Sequence, residues 1–260
     1  MKKINGISVY TYGNENNQAV IFVHGFPFDN SMWKDQVNAL KENYFVITYD
    51  IRGFNKSDVG DGQYTMEMFA DDLQMLIENM NLNNPVICGL SMGGYIALRH
   101  AEKYGGIKAL ILADTKSQSD PDAAKINRAN GIRRINEEGV GPFVSDFIPN
   151  TLSAKNKLDN HIVDRLVIEA KSLSPKTLKG ALLAMAARTD TSAYLEKIDF
   201  PVMFVCGKED NLTPPSLMKE LADKVKNSIF EIIDDAGHLP PGESPEKFNS
   251  LLHNFLGGLE

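Results

Sequence analysis

The segment Pro85-Val86-Ile87-Cys88-Gly89-Leu90-Ser91-Met92-Gly93-Gly94-Tyr95 decides the fold. It opens with a short apolar run and passes, after Ser91, into a helical pattern that extends to Tyr104. Apolar residues that do not alternate with polar ones suit a strand covered on both faces. A serine flanked by glycines at a strand-to-helix junction sits on a sharp turn, where larger neighbours would collide. Such a turn aims the Ser91 hydroxyl outward at the end of the sheet. The N–H of Met92 then lies at a helix N-terminus, where backbone donors lack intrahelical acceptors.

Similar apolar runs recur on either side. Residues 7–12, 19–23, 44–49, 109–113, 202–206 and 229–233 read as further strands. Helical patterns lie between them. Met66, Phe69, Leu73, Leu76, Ile77 and Met80 share one face, with Thr65 placed as the cap. Residues 216–225 form another helix. Ser244-Pro245 supplies a cap and a first-turn proline for a last helix carrying Phe248, Leu251, Leu252 and Phe255. This alternation predicts an α/β fold with a mostly parallel, doubly wound sheet.

The alternation stops after residue 113. Residues 123–137, 140–147, 160–172 and 175–187 all carry helical patterns, and no strand is evident before Pro201. An unstructured loop of that length is uncommon in a compact domain. The expected organisation is a core of residues 1–115 and 199–260 with a helical lid, residues 116–198, inserted between two core strands.

Composition narrows the function classes. The 260 residues include 27 Lys and Arg against 34 Asp and Glu, a formal net charge of −7. That balance gives no general attraction to nucleic acid or anionic lipid. No stretch approaches the roughly 20 apolar residues that span a bilayer. Lys2-Lys3 is not followed by the apolar run of a secretory signal, so the expected location is cytoplasmic. Cys88 and Cys206 each close an apolar run and are spaced neither as a metal clamp nor as a redox pair. No metalloprotease, P-loop or dinucleotide motif is present, so neither metal nor cofactor is expected.

A serine hydroxyl is a weak nucleophile at neutral pH and needs a base. Of the five histidines, His100 and His253 lie within helical patterns and read as surface residues. His161 falls in the lid, and His24 directly follows a strand and is placed to shape its loop. His238, in Ala236-Gly237-His238-Leu239-Pro240, follows the last strand. Open α/β sheets place their reactive groups at such strand ends. Asp210, in Gly207-Lys208-Glu209-Asp210-Asn211, follows the preceding strand and is the candidate to orient His238. Asp114, at the end of run 109–113, is the alternative carboxylate. A second backbone donor beside Ser91 is expected from His24-Gly25-Phe26-Pro27. Phe26 offers its N–H; Pro27 has none.

At these residues the chain resembles the α/β-hydrolase superfamily. The likeness rests on the Gly89-Leu90-Ser91-Met92-Gly93 turn, His24-Gly25-Phe26-Pro27, Asp50-Ile51-Arg52-Gly53-Phe54-Asn55-Lys56-Ser57, and Gly237-His238 followed by Glu243-Ser244-Pro245-Glu246. It covers about two-thirds of the chain. The order Ser91, Asp210, His238 is also that of the superfamily. Asn55 replaces a usual glycine, and asparagine tolerates the left-handed backbone expected there. Cys88-Gly89-Leu90-Ser91-Met92-Gly93-Gly94-Tyr95, Leu112-Ala113-Asp114-Thr115 and Cys206-Gly207-Lys208-Glu209-Asp210 look like the branch of 3-oxoadipate enol-lactonases and related carboxylesterases.

The resemblance implies a serine hydrolase acting on a small-molecule ester or lactone. Ser91 would be the nucleophile, His238 the base, Asp210 its partner, and the Phe26 and Met92 N–H groups the oxyanion donors. A C–C bond hydrolase or a perhydrolase on the same three residues is the alternative, and a non-catalytic ligand receptor is a further one. Phe26, Phe28, Leu212 and Leu239, with Phe143, Phe147, Ile148 and Met185 from the lid, are candidates for an apolar pocket. Arg133, Arg134, Lys179 and Arg188 are the lid cations available to an anionic substrate.

Overall fold

A computed structural model describes residues 1–259. Eight strands form one sheet: β1 (Lys2–Ile4), β2 (Ile7–Tyr12), β3 (Ala19–Val23), β4 (Phe45–Tyr49), β5 (Val86–Leu90), β6 (Ala109–Ala113), β7 (Val202–Gly207) and β8 (Ser228–Ile233). Their order is β1-β2-β4-β3-β5-β6-β7-β8. β1 and β2 run antiparallel to their neighbours, and from β4 to β8 every pairing is parallel. The first strand was not evident in the sequence, because Lys2-Lys3-Ile4 is short and exposed at the sheet edge.

The helices follow in chain order: α1 (Lys34–Leu40), α2 (Met66–Asn79), α3 (Met92–Tyr104), α4 (Asp122–Glu138), α5 (Val140–Phe147), α6 (Ala154–Lys157), α7 (Asn160–Lys171), α8 (Pro175–Ala186), α9 (Ser192–Leu195), α10 (Pro215–Ala222), α11 (Pro240–Glu243) and α12 (Pro245–Gly257). α2 packs beside α3, and α1 beside α12. α4 to α9 all lie between β6 and β7, with no strand among the described residues of that interval. Within it α4 packs on α8 and on α5. No helix among the described residues is long and apolar enough to cross a membrane.

The four central strands β3, β5, β6 and β7 are buried along their whole length, as unbroken apolar runs require. β8 departs from that expectation. It is an edge strand, with Ile229 and Ile232 each nearly half exposed. Thr65 caps α2 by accepting the Met68 N–H at 3.1 Å. Ser244 does not cap α12 with its side chain, although Pro245 opens that helix as expected.

β3 lies between β4 and β5, so the chain leaves β3 in one direction and returns on its other side. At such a reversal the loops leaving the two adjacent strands splay apart and open a crevice. Here those loops begin at His24 and Ser91, and Val23 pairs with Gly89. The topology thereby brings together two segments 67 positions apart in the chain.

His100 is a correction to the sequence reading. It is buried on α3 against α2, and its Nε2–H donates to Gln74 Oε1 at 2.9 Å, while Nδ1 has no partner. Burial lowers its pKa from 6.5 to about 4. The unfolded chain therefore binds a proton between these values that the folded chain does not. Stability from the neutral ring is present above about 6.5 and lost as pH falls toward 4, up to about 3 kcal/mol. His100→Gln should show a smaller drop in thermal stability than the parent between pH 7 and pH 4.5. Equal drops in both proteins would remove His100 as the cause.

Candidate active site

Ser91 stands at the C-terminal end of β5 with φ of 54° and ψ of −113°, a strained geometry for a residue with a side chain. Two bonds hold it there. Its N–H donates to Ala113 O at 2.9 Å, and its carbonyl accepts from Thr115 Oγ1 at 2.8 Å. The glycines are needed for space. A Cβ on Gly93 would lie 2.1 Å from Val23 O, and one on Gly89 2.3 Å from Gly93 O.

The turn delivers the Ser91 hydroxyl to His238. Ser91 Oγ lies 2.9 Å from His238 Nε2, and His238 Nδ1 lies 2.7 Å from Asp210 Oδ2. An ionised carboxylate only accepts, so Nδ1 carries the proton toward Asp210 and Nε2 is free to accept from Ser91. Asp210 is buried and fully engaged. Leu212 N and Thr213 N donate to Oδ1 at 2.8 and 3.2 Å, and Thr213 Oγ1 donates to Oδ2 at 2.6 Å. Burial pushes the Asp210 carboxyl up, but His238 and the Thr213 and Leu212 donors outweigh it and hold the carboxyl below the usual range.

Asp114 also reaches this cluster. Ligand atoms of Asp114, Asp210 and His238 lie within 4.8 Å of one another, close enough for a metal by distance alone. The donor chemistry argues against one. His238 Nδ1 and Asp210 Oδ2 already bind each other. Burial, and then the adjacent Asp210 charge, push the Asp114 carboxyl well above the carboxylate range. Its Oδ1 accepts from Gly207 N at 2.9 Å. Asp210, not Asp114, meets His238.

The His238 loop is tied to the helical insertion. His238 N donates to Thr151 O at 2.7 Å. Glu243 accepts from Gly237 N and Leu239 N on one oxygen and from Ser153 N and Asn156 Nδ2 on the other. Glu209 turns away from His238 and takes the Ala154 N–H at 2.7 Å. Thr213, Thr115 and Glu243 thus support the site. Their roles were not legible in sequence, because each depends on how the loops fold onto one another.

His24 shapes its loop as expected. It is buried, and burial lowers its pKa. Its Nε2 accepts from Ile51 N at 2.9 Å, which leaves Nδ1–H to donate to Gly25 O at 3.0 Å. Asp50 braces the same region, accepting from Asn30 and Lys56. Asn55 adopts the expected left-handed backbone, with φ of 42°. The Asp50–Ser57 motif therefore supports the His24 loop and lies outside the reacting groups. Gly25 approaches the turn so closely that an added Cβ would lie 3.6 Å from Ser91 Cβ. That places Phe26 next to Ser91. Met92 opens α3, so its N–H has no intrahelical acceptor.

A cavity of about 330 Å³ opens on Ser91 and His238. Phe26, Phe143, Phe147, Leu182, Met185 and Leu212 supply its apolar wall. The three phenylalanines cluster, with Phe26 edge-on to Phe143 and Phe147 at centroid distances of 6.3 and 5.6 Å. Phe28 and Leu239 face a separate groove of about 200 Å³, and Ile148 is buried away from both spaces. The predicted cations also fall elsewhere. Arg134 pairs with Glu138 and Asp146, Lys179 bonds Asn136, and Arg133 is exposed. Arg188 is buried rather than solvated and pairs with Asp120. Lys116 and Arg128, which the sequence did not single out, line the cavity. His161 and His253 are exposed, and Cys88 and Cys206 are free and buried.

Comparison with known proteins agrees with this architecture. The alpha/beta hydrolase fold family matches residues 18–245. A thermophilic esterase from Thermogutta terrifontis, in a malate-bound structure, is 35% identical, with a TM-score of 0.91 over 97% of this chain and 93% of that one. 3-Oxoadipate enol-lactonase 1 from Acinetobacter baylyi is 28% identical over 98% of this chain and 94% of its own. A bromoperoxidase from Bacillus anthracis is 26% identical, with a TM-score of 0.87 over 96% of this chain and 95% of that one. With the matched region spanning β3 to β8, the Ser91 turn and the His238 loop, this chain belongs to the alpha/beta hydrolase fold family.

Proposed function

We propose that the protein is a serine hydrolase that cleaves a carboxylic ester or lactone through an acyl-enzyme. The observation that carries this reading is the hydrogen-bonded chain from Ser91 through His238 to buried Asp210, facing a cavity large enough for a small substrate. The esterase and enol-lactonase relatives support the choice of bond.

Ser91 Oγ attacks the carbonyl carbon as His238 Nε2 takes its proton. Asp210 stabilises the resulting imidazolium and keeps Nδ1–H directed at itself. The carbonyl oxygen gains negative charge and is received by the Phe26 and Met92 N–H groups. His238 then returns the proton to the leaving alkoxide, the C–O bond breaks, and the acyl group remains on Ser91. A water molecule gives its proton to His238 and attacks the acyl carbon. The proton passes back to Ser91 Oγ as the carboxylic acid departs. The same acyl-enzyme could be intercepted by hydrogen peroxide in place of water, and the likeness to a bromoperoxidase makes that side reaction the second reading.

Residues 116–198 act as the lid in this reading. They supply Phe143, Phe147, Leu182 and Met185 to the cavity wall and exclude water from one side of the ester. A p-nitrophenyl alkylphosphonate tests the nucleophile directly. One equivalent should add to the protein, and peptide mass spectrometry should place the adduct on Ser91. An adduct on another residue, or none on protein that hydrolyses p-nitrophenyl esters, would overturn the assignment.

A further inference from the structure

The two edges of the sheet differ. β1 is three residues long and carries exposed Lys2 and Lys3. Shortness and lysine charge keep an edge strand from pairing with another chain. β8, at the opposite edge, is six residues long and reads Ser228-Ile229-Phe230-Glu231-Ile232-Ile233. It holds no proline and one charged side chain, Glu231. Its register against β7 runs unbroken from Ser228 to Ile233, so no bulge turns the edge away. Ile229 and Ile232, on opposite faces of the strand, are 46% and 45% exposed.

The bonds to β7 fix which backbone groups face out. Val202 N donates to Asn227 O at 3.1 Å, and Lys208 N to Ile233 O at 2.9 Å. In a parallel ladder alternate residues point their N–H and C=O groups to the same neighbour. Asn227, Ile229, Glu231 and Ile233 therefore face β7, and Ser228, Phe230 and Ile232 turn theirs outward. Among the described residues no strand lies beyond β8 to receive them. The charges flanking this edge are segregated. Exposed Lys224 and Lys226 precede the strand, and exposed Asp234 and Asp235 follow it. Lys208 takes Asp234 Oδ1 at 2.8 Å and leaves Oδ2, while Lys247 takes Asp235 Oδ2 at 3.1 Å. Both pairs are exposed, and such pairs hold their partners weakly. Lys226 is in no ion pair among the described residues.

We propose that β8 is a homodimer surface, on which β8 of a second copy pairs antiparallel about a two-fold axis through Phe230. An axis perpendicular to the sheet makes the contact self-complementary. It lays the basic end of each strand against the acidic end of the other, whereas a parallel alignment would set like ends together. The outward groups fix the register. With Phe230 opposite its own copy, Ser228 faces Ile232 on both sides of the axis, and each pair exchanges two N–H···O bonds. The same register sets Lys226 opposite Asp234, whose Oδ2 is available to accept. A shift that centres the axis on Glu231 would set that carboxylate against its copy, and like charges directly opposite are destabilising. Phe230 packs only partly against the core, so its ring edge can meet its copy across the axis. Ser228 and Phe230 of the second copy cover the exposed flank of Ile232.

Sedimentation velocity on the purified protein tests both the dimer and its register. At about 20 μM the wild type should sediment as a dimer that dissociates on dilution, as mass action requires. Lys226→Glu and Asp234→Lys should each raise the dimer Kd at least tenfold, because each sets like charges opposite one another at two symmetric points. A one-to-one mixture of the two variants should restore a heterodimer, in which both points again hold opposite charges. Ile232→Pro removes an outward N–H and no bond to β7, so it should give a monomer with the circular dichroism of the parent. The two charge substitutions lie at exposed positions and test the register whether or not the proline variant folds. Wild-type protein that stays monomeric at about 200 μM would overturn the proposal. So would a dimer that the two charge variants leave unchanged, or single variants that weaken the dimer and fail to recombine on mixing.

Discussion

Ser91→Ala should lower kcat for p-nitrophenyl ester hydrolysis by about 10⁴-fold or more, the scale seen when a serine nucleophile is removed. The loss should come without a loss of fold. The Ser91 backbone is held by Ala113 O and Thr115 Oγ1, and alanine keeps both bonds. The strain at φ 54° bears equally on serine and alanine, so it cancels in the comparison. Only the 2.9 Å bond from Oγ to His238 is removed. The thermal unfolding temperature measured beside the rate should therefore stay close to the parent value. Activity within tenfold of the parent in a folded variant would sink Ser91 as the nucleophile.

Asp210→Asn should reduce kcat by about 10³–10⁴-fold, by the tautomer argument for a triad aspartate. The surroundings specify the outcome. Leu212 N and Thr213 N both donate to the Oδ1 position, so the new amide must place its oxygen there. Its NH₂ then faces His238 Nδ1, which must become an acceptor. The ring proton moves to Nε2 and points at Ser91, so the base can no longer take the serine proton. Asp114→Asn is the contrasting variant. An amide has nearly the shape of a carboxyl, burial already disfavours a charge there, and the amide oxygen can still accept from Gly207 N. Its activity should stay within about threefold of the parent, since no buried group loses its partner. Steady-state kinetics on both variants decides the matter. The reverse pattern would make Asp114 the acid.

The proposed reacting residues were legible in the sequence because each sits in a local pattern with a strict steric or chemical requirement. The glycines around Ser91 mark a turn whose neighbours lie within 2.5 Å of any added side-chain carbon. Asp210 and His238 each follow an apolar run, and the ends of parallel strands converge on one sheet edge. The supporting residues were less legible. Thr213 is three positions from Asp210, yet its hydroxyl contact depends on how the loop folds back. Glu243 holds the His238 loop to residues 153–156 across about 90 positions of chain. His100 was read as a surface residue, since a histidine among charged neighbours on a helix gives no sign that α2 covers it.

The sequence by itself determined the α/β class, the strand–turn–helix at Ser91, the candidates for the reacting residues and the helical character of the interval between β6 and β7. These follow from periodicity, glycine sterics and side-chain chemistry, which act over a few residues. Only the tertiary structure decided which charges face the reacting centre. In the sequence Lys116, Asp120 and Arg128 belong to no motif, and Arg188 is one of four lid cations with nothing to set it apart. In the fold they enclose a carboxylate in the wall of the Ser91 cavity. The meaning of a charge depends on its surroundings, through the water it loses and the partners it meets, and folding brings those partners from distant parts of the chain.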